Sequence, residues 1–536
     1  MKILYAASEC MPFVKTGGLA DVIGALPKEI IKKGADIRVI IPLYKAIDTA
    51  YRSRMEHVLY FYINLGWRRQ YVGIEKLVKD GVTFYFVDNE QYFGRDYVYG
   101  RCGGDEGERY AYFCKAVLEA LPKLDFVPDV LHCHDWQTGL ICALYHAQYK
   151  YLPLYTQIKT VFTIHNLQFQ GLYPINETEE LLALGDWAYT PDNLEFYGQC
   201  SFIKGGLVYA DRITTVSPTY AQEILSPYYG ERLDGLLRSR KDVLSGILNG
   251  IDTVEYDPAA DTLIESRYTA DTFEAKKINK AALQKELGLN VDDSVPLIGM
   301  VSRLSAQKGL DLVERVLDEI MATGAQVVVL GMGDSKYMDL FGWAQWKYAG
   351  RLAACFQMNH RLAHRIYAAS DLFLMPSMFE PCGLSQLISL RYGTLPITRE
   401  TGGLRDTVLS YNEYTGEGNG FTFFNYNAHD MLHVIERAVK MYHDDRETFE
   451  KLAKRAMSGE YGWNKSADKY MALYASLTGQ AEPVVIEAEA PEATTAPEAP
   501  APAPKKPRAK KAAAPADAPK PEKKPRTKKA KTPVQE

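Results

Sequence analysis

The sequence predicts an α/β protein made of two doubly wound parallel-sheet domains, followed by a disordered tail. Three observations carry that prediction. Short β-branched runs alternate with helical stretches over most of the chain, the pattern of parallel sheets wrapped by helices. The runs fall into two sets, separated by a charged, strand-poor segment at residues 249–290. Beyond residue 480 the aromatic residues vanish, and Ala, Pro, Glu and Lys take over.

The first set of strands comprises residues 3–7, 37–41, 83–87, 130–133, 159–163 and 212–216. It opens in MKILYAASEC, whose single lysine and short apolar run suit a first strand better than a secretory segment, so no export or organelle transit peptide is expected. The second set comprises residues 297–301, 326–330 and 372–375, and a new domain starts near Val295. The expected domains are therefore 1–248 and 249–462, with the segment 249–290 as the connection. A helical pattern at 466–477 defines a further segment, 463–479. Residues 480–536 cannot bury enough apolar surface to offset chain entropy, and disorder is expected there.

At 536 residues, 47% hydrophobic and 24% charged, the chain is large enough for two or three cores. No run approaches the roughly 18 to 20 apolar residues of a membrane span, and no membrane partner is expected. Eight cysteines without a CxxC pair suit reduced thiols and a cytoplasmic location. The net charge of −5 hides a division: residues 480–536 hold twelve Lys or Arg against eight Asp or Glu, which leaves −9 on the rest and no nucleic-acid footprint there. The tail itself is acidic over 482–498 and Lys/Pro/Ala-rich over 505–531. It reads either as a solvated tether or as an electrostatic arm for nucleic acid or another polyanion.

In open α/β sheets ligands bind where loops leave the carboxyl ends of strands, so the chemistry is sought there. After the first strand come Glu9 and the loop MPFVKTGGLADVIG, in which Lys15 precedes Gly17 and Gly18 and a helix begins near Asp21. Glycines let the backbone approach an anion, and a helix N-terminus supplies amides. Alone, this loop also fits an ordinary turn with a solvated lysine. The strand LIGMV leads to Arg303, Lys308 and Gly309 before a helix near Leu310. An arginine fork and a lysine point charge five residues apart suit a diphosphate, although a charged surface turn has the same look. After DLFLMPS, Glu380, Cys382, Gly383 and Leu384 precede a third helix. A carboxylate there either caps the helix or accepts hydrogen bonds from sugar hydroxyls. Thr401, Gly402 and Gly403 form a fourth turn whose amides suit phosphate.

In the first domain His132, Cys133, His134, Asp135 and Trp136 end one strand, and His165 and Asn166 end another. Neighbouring strand residues point to opposite faces, so the His/Cys cluster is not expected to hold a metal. Cations and amides at these turns are expected to neutralise a leaving group without metal or cofactor. His165 and Asp135 read as polar groups at a sugar, or as satisfied core positions. Trp67, Tyr92, Phe93, Tyr97 and Tyr99 form an aromatic stretch that suits sugar stacking but also ordinary packing.

Together, SECMPFVKTGGLADV, HCHDWQTGL, FTIHNLQFQG, ILNGID, SRLSAQKGLDL, FEPCGLSQL and TGGLRDTV resemble the bacterial and plant glycogen/starch synthases, retaining glucosyltransferases of the ADP-glucose-using type, over roughly residues 1–477. The resemblance implies two Rossmann-like domains of GT-B type facing a deep cleft, with segment 463–479 packing back on the first domain. It implies transfer of glucose from ADP-glucose, with UDP-glucose as the alternative donor, to the non-reducing end of glycogen or another α-1,4-glucan. By the same resemblance Lys15, Gly17 and Gly18 belong to the donor-phosphate loop, and Arg303 and Lys308 to the leaving diphosphate. Glu380 contacts the transferred glucose, while His165, Asp135 and Asn249 surround the sugar and reaction centre. Amides of Cys382, Gly383, Leu384, Thr401, Gly402 and Gly403 complete the donor contacts. Two positions depart from relatives: Ile388 stands where many carry a second glutamate, and Met358 where many carry an adenine-stacking aromatic. Two other readings compete, a transferase with a small acceptor and an idle scaffold that binds glucan or polyanion.

Overall fold

The computed structural model describes residues 1–100 and 105–481. The expected tail lies outside the described residues from 482 onward, as does Cys102. Two Rossmann-like lobes carry the fold. In the first, nine strands lie in the order Leu244–Gly246, Arg212–Thr215, Lys159–Ile164, Val130–His134, Lys2–Ala6, Asp36–Pro42, Val82–Asp88, Arg68–Lys79 and Glu56–Leu65. All neighbours are parallel except the last two pairs. The central strands are buried on both faces, so that burial runs unbroken along VLHCH and along KILYA after Lys2.

The antiparallel pair at the edge, absent from the sequence-based list of strands, obeys the other rule. Phe61, Ile63 and Leu65 turn into the core while Tyr60 and Tyr62 face solvent. The second lobe is fully parallel, in the order Leu352–Cys355, Gln326–Leu330, Leu297–Val301, Leu372–Met375, Leu395–Arg399 and Phe421–Phe423.

The segment 249–290 differs from the expected simple connection. It contains the helix Lys276–Glu286, which packs on helix His360–Ala369 of the second lobe. Two of its lysines, Lys276 and Lys280, are interior groups. Lys276 donates to Ala368 O at 2.9 Å, Tyr392 O at 3.0 Å and Thr394 Oγ1 at 2.8 Å, and burial pushes its ammonium down to about 7. Lys280 pairs with Asp371 at 2.8 Å. Charge in the sequence thus concealed a buried helical face, because each ammonium is met by oxygens.

The helix Asn464–Thr478 completes the core of the first lobe with Ala467, Tyr470, Met471 and Tyr474. Tyr474 shares its hydroxyl with that of Tyr5 at 2.7 Å and with His132 Nδ1 at 2.7 Å.

Each sheet has one point where strand order reverses. In the first it flanks Lys2–Ala6, between Asp36–Pro42 and Val130–His134; in the second it flanks Leu297–Val301, between Gln326–Leu330 and Leu372–Met375. Loops leaving these strands open a crevice in any doubly wound sheet. The two lobes meet through residues at or after the strands Arg212–Thr215 and Leu395–Arg399. Thr219 of the first lobe donates through N and Oγ1 to Asp406 of the second at 3.0 and 2.6 Å, and Arg399 donates to Tyr229 OH at 3.0 Å.

Candidate active site

The loop after the first strand is organised around a buried carboxylate. Glu9 accepts from Thr16 N, from Thr16 Oγ1 at 2.9 Å, from Gly17 N at 3.2 Å and from Tyr99 OH at 3.2 Å. The glycine-loop amide that the sequence offered to a phosphate therefore holds an internal anion in this structure. Lys15 remains at the surface, paired with Asp21 at 2.7 Å. Gly18 opens the helix Gly18–Lys32 and faces the other lobe: a Cβ there would lie 3.8 Å from Leu384 Cδ1.

Asp135 ends the strand Val130–His134 at φ 62° and ψ 178°, a backbone region that costs a residue with a Cβ about 1–3 kcal/mol. The turn aims its carboxylate at two amides, His165 N at 3.2 Å and Asn166 N at 3.5 Å. Burial outweighs those amides and pushes the carboxyl up to about 7. His165 sits beside it, with Nε2 3.1 Å from His134 Nδ1; enclosure holds its imidazole neutral, pushed down to about 3. His132 spends Nδ1 on Tyr474 and Nε2 on Thr163 Oγ1, at 2.7 and 2.6 Å. Cys133 turns to Cys142. The His/Cys run is thus divided between a hydrogen-bonded core and the site.

In the second lobe the loop after Leu297–Val301 presents Arg303 to solvent, its guanidinium without a protein hydrogen bond or ion pair among the described residues. Lys308 reaches Glu380 Oε2 at 2.6 Å, and Ser377 Oγ donates to the same oxygen at 3.0 Å. Oε1 of this buried carboxylate has no hydrogen bond among the described residues, which leaves it for a ligand. Asn249 lies against Cys382, and its buried Oδ1 also lacks a partner. Burial pushes the Cys382 thiol up to about 12, so it stays protonated.

The TGG turn packs on this loop through glycine contacts. A Cβ on Gly402, at φ 45°, would lie 2.0 Å from Glu380 O, and one on Gly403 2.2 Å from Cys382 O. Thr401 Oγ1 and Gly402 N both donate to Glu223 of the first lobe, at 3.0 and 3.1 Å. Gly383, at φ 73°, turns the chain into the helix Ser385–Arg391, which Leu384 precedes.

The structure therefore gathers two groups. Asp135 and His165 share hydrogen bonds in the first lobe; Lys308, Glu380, Cys382, Asn249 and the TGG turn adjoin one another in the second. Glu9 and Glu223 were missed as partners of the loops: Glu9 is met by a loop that folds back on it from only 7 residues away, while Glu223 reaches the TGG turn across 178 residues of sequence. The aromatic stretch divides. Tyr92 and Phe93 are core, Tyr99 supports Glu9, and Trp67 and Tyr97 are exposed. Ile388 is core and Met358 is exposed. Among the described residues no helix is long and apolar enough to cross a membrane.

Comparison with known proteins places this arrangement. The family described as Starch synthase catalytic domain matches residues 2–239, and Glycosyl transferases group 1 matches residues 282–456. Glycogen synthase of Geobacillus thermodenitrificans is 54% identical over 486 residues, 91% of this chain and all of that protein. Glycogen synthase of Bacillus cereus strain Q1 is 54% identical over 477 residues, 89% of this chain and all of that protein. Among solved structures, the catalytic domain of starch synthase IV from Arabidopsis thaliana, bound to ADP and acarbose, superposes with a TM-score of 0.83 at 32% identity, covering 89% of this chain and 99% of that one. Sucrose-phosphate synthase from Thermosynechococcus elongatus, at 16% identity and a TM-score of 0.56, shares the fold, again over 89% of this chain and 99% of that one. With relatives matched end to end and both lobes accounted for, the chain belongs to the glycogen/starch synthase family of glycosyltransferases.

Proposed function

We propose that this glycogen/starch synthase takes ADP-glucose as donor, adds its glucose to the non-reducing end of an α-1,4-glucan with retention of configuration, and releases ADP. The observation that carries the proposal is the Lys308–Glu380 pair at 2.6 Å beside an unpartnered Arg303, at the switch point of the second lobe. A buried carboxylate fixed by one oxygen offers the other to sugar hydroxyls. Two cations beside it suit the diphosphate to which that sugar is bonded. The ADP in the Arabidopsis starch synthase structure supports adenine as the base.

The chemistry follows from where charge develops. As the glucose–phosphate bond breaks, the ring gains oxocarbenium character and the diphosphate gains negative charge. Arg303, Lys308 and Lys15 stabilise the second change, since cations aimed at developing negative charge lower such a barrier most directly. The acceptor 4-hydroxyl attacks from the face the phosphate leaves, and a phosphate oxygen takes its proton. Asp135 and neutral His165 hold sugar hydroxyls, and amides of the 382–384 and 401–403 turns complete the grip on phosphate.

The test is product analysis after incubation with ADP-glucose and a glucan primer. Longer chains that α-1,4-specific hydrolases degrade, with release of ADP, are expected. A β-linked product or a single-sugar adduct on a small acceptor refutes the reading.

A further inference from the structure

Away from the residues assigned to the transferred sugar, three potential ligands converge. His360 and His364 stand four residues apart on the helix His360–Ala369, on one face, and Glu255 of the connector lies against them. One ligand atom from each lies within 4.8 Å of the other two. His360 Nε2 is 2.9 Å from Glu255 Oε1 and 3.3 Å from His364 Nε2. A tetrahedral ion with bonds of about 2.0–2.1 Å sets its ligands about 3.3 Å apart, so the nitrogen pair already has that spacing.

The surroundings prepare one ligand in particular. His364 is buried, and its Nδ1 meets Asp261 Oδ2 at 2.8 Å. A carboxylate accepts only, so Nδ1 carries the hydrogen and Nε2 presents its lone pair to the cluster. Tyr392 OH donates to the same Asp261 oxygen at 2.6 Å, and Tyr256 stacks on the imidazole at 4.9 Å and 21°. This carboxylate–histidine relay is how proteins orient a metal-binding imidazole. Without a cation, Glu255 Oε1 and His364 Nε2 both face His360 Nε2, which has at most one proton to give. Glu255 and Asp261 also leave the cluster acidic when both histidines are neutral. His360 is half exposed, which gives an ion a way in.

We propose that Glu255, His360 and His364 form a binding site for a divalent ion of the zinc class, with Asp261 orienting His364 and the fourth position open to water. Two imidazoles and one carboxylate are a zinc donor set, softer than magnesium or calcium sites accept. The role assigned to the ion is structural. It ties the connector to the second lobe at a point where Asp252, three residues before Glu255, grips Lys28 of the first lobe at 3.2 Å. It thereby stiffens the connector between the lobes.

The experiment uses the full chain, stripped with chelator, dialysed and titrated with Zn²⁺, with Co²⁺ as the spectroscopic probe. Wild type is expected to bind one equivalent, to show the visible absorption of four-coordinate Co²⁺, and to melt at a higher temperature with zinc. Glu255→Gln and His360→Ala lie at the surface and leave the core intact. Each is expected to weaken zinc about a hundredfold or more and to abolish both the cobalt band and the thermal shift, since even the loss of a supporting residue costs 10–100-fold. Equal affinity in wild type and both variants, or no binding to wild type, overturns the proposal and leaves the cluster a hydrogen-bonded network.

Discussion

At Asp135 the backbone and the side chain each bear a cost. The φ of 62° strains a residue with a Cβ, and burial makes its ionised form unfavourable. The carboxyl titrates near 7 in the folded protein against about 3.9 in an unfolded chain. Across that window the folded state holds a proton that the unfolded chain has released, so this residue's contribution to stability falls as pH rises. Asp135→Asn keeps an acceptor for the two amides and removes the titration. Urea unfolding is expected to show the variant gaining on wild type by on the order of 2 kcal/mol between pH 5 and pH 8. A gap that does not change with pH contradicts the assignment. Nothing in HCHDW announced the strained turn; a sequence gives residue types but not the φ that a close strand-to-helix connection imposes.

Among the elements, the helix Asn464–Thr478 shows how one segment fixes another far away in sequence. Tyr474 OH is the hydrogen-bond partner of Tyr5 OH and of His132 Nδ1, all three buried. Tyr474→Phe strands two polar groups for one lost hydroxyl, with an expected loss of about 2 kcal/mol in urea unfolding. A loss under about 0.5 kcal/mol means that the network repairs itself. The central strands were legible because burial on both faces makes them continuous β-branched runs. Leu395–Arg399 was not, as Pro396 interrupts it, and Phe421–Phe423 is too short to register. Glu56–Leu65 was not either: its first residues are exposed, and further on Tyr60 and Tyr62 face water between buried residues, so it offers no continuous apolar run. Helix Lys276–Glu286 was hidden because two of its lysines, Lys276 and Lys280, are interior.

Across the whole molecule, one contact between the lobes puts a carboxylate on an amide and a hydroxyl of phosphate-binding type. Glu223 of the first lobe occupies Gly402 N and Thr401 Oγ1 of the second, the groups proposed for the donor. Removing that carboxylate removes a competitor and a like charge. Glu223→Ala is expected to bind ADP several-fold more tightly by calorimetry, and weaker binding makes Glu223 a support for the turn instead. The motif loops could be placed at strand ends from sequence, but the pairing of one lobe's carboxylate with the other's amides depends on how the lobes close. The central claim is that the chain's own cations, with Lys308 foremost, and the amides of its turns stabilise the leaving diphosphate without a metal ion. The measurement that tests it most directly is glucose incorporation into glycogen from ADP-glucose with EDTA present, wild type beside Lys308→Ala. The account predicts that wild-type transfer survives chelation and that the variant's kcat falls about a hundredfold or more while KM changes far less. Transfer that stops with EDTA, or a Lys308→Ala enzyme as fast as wild type, contradicts it.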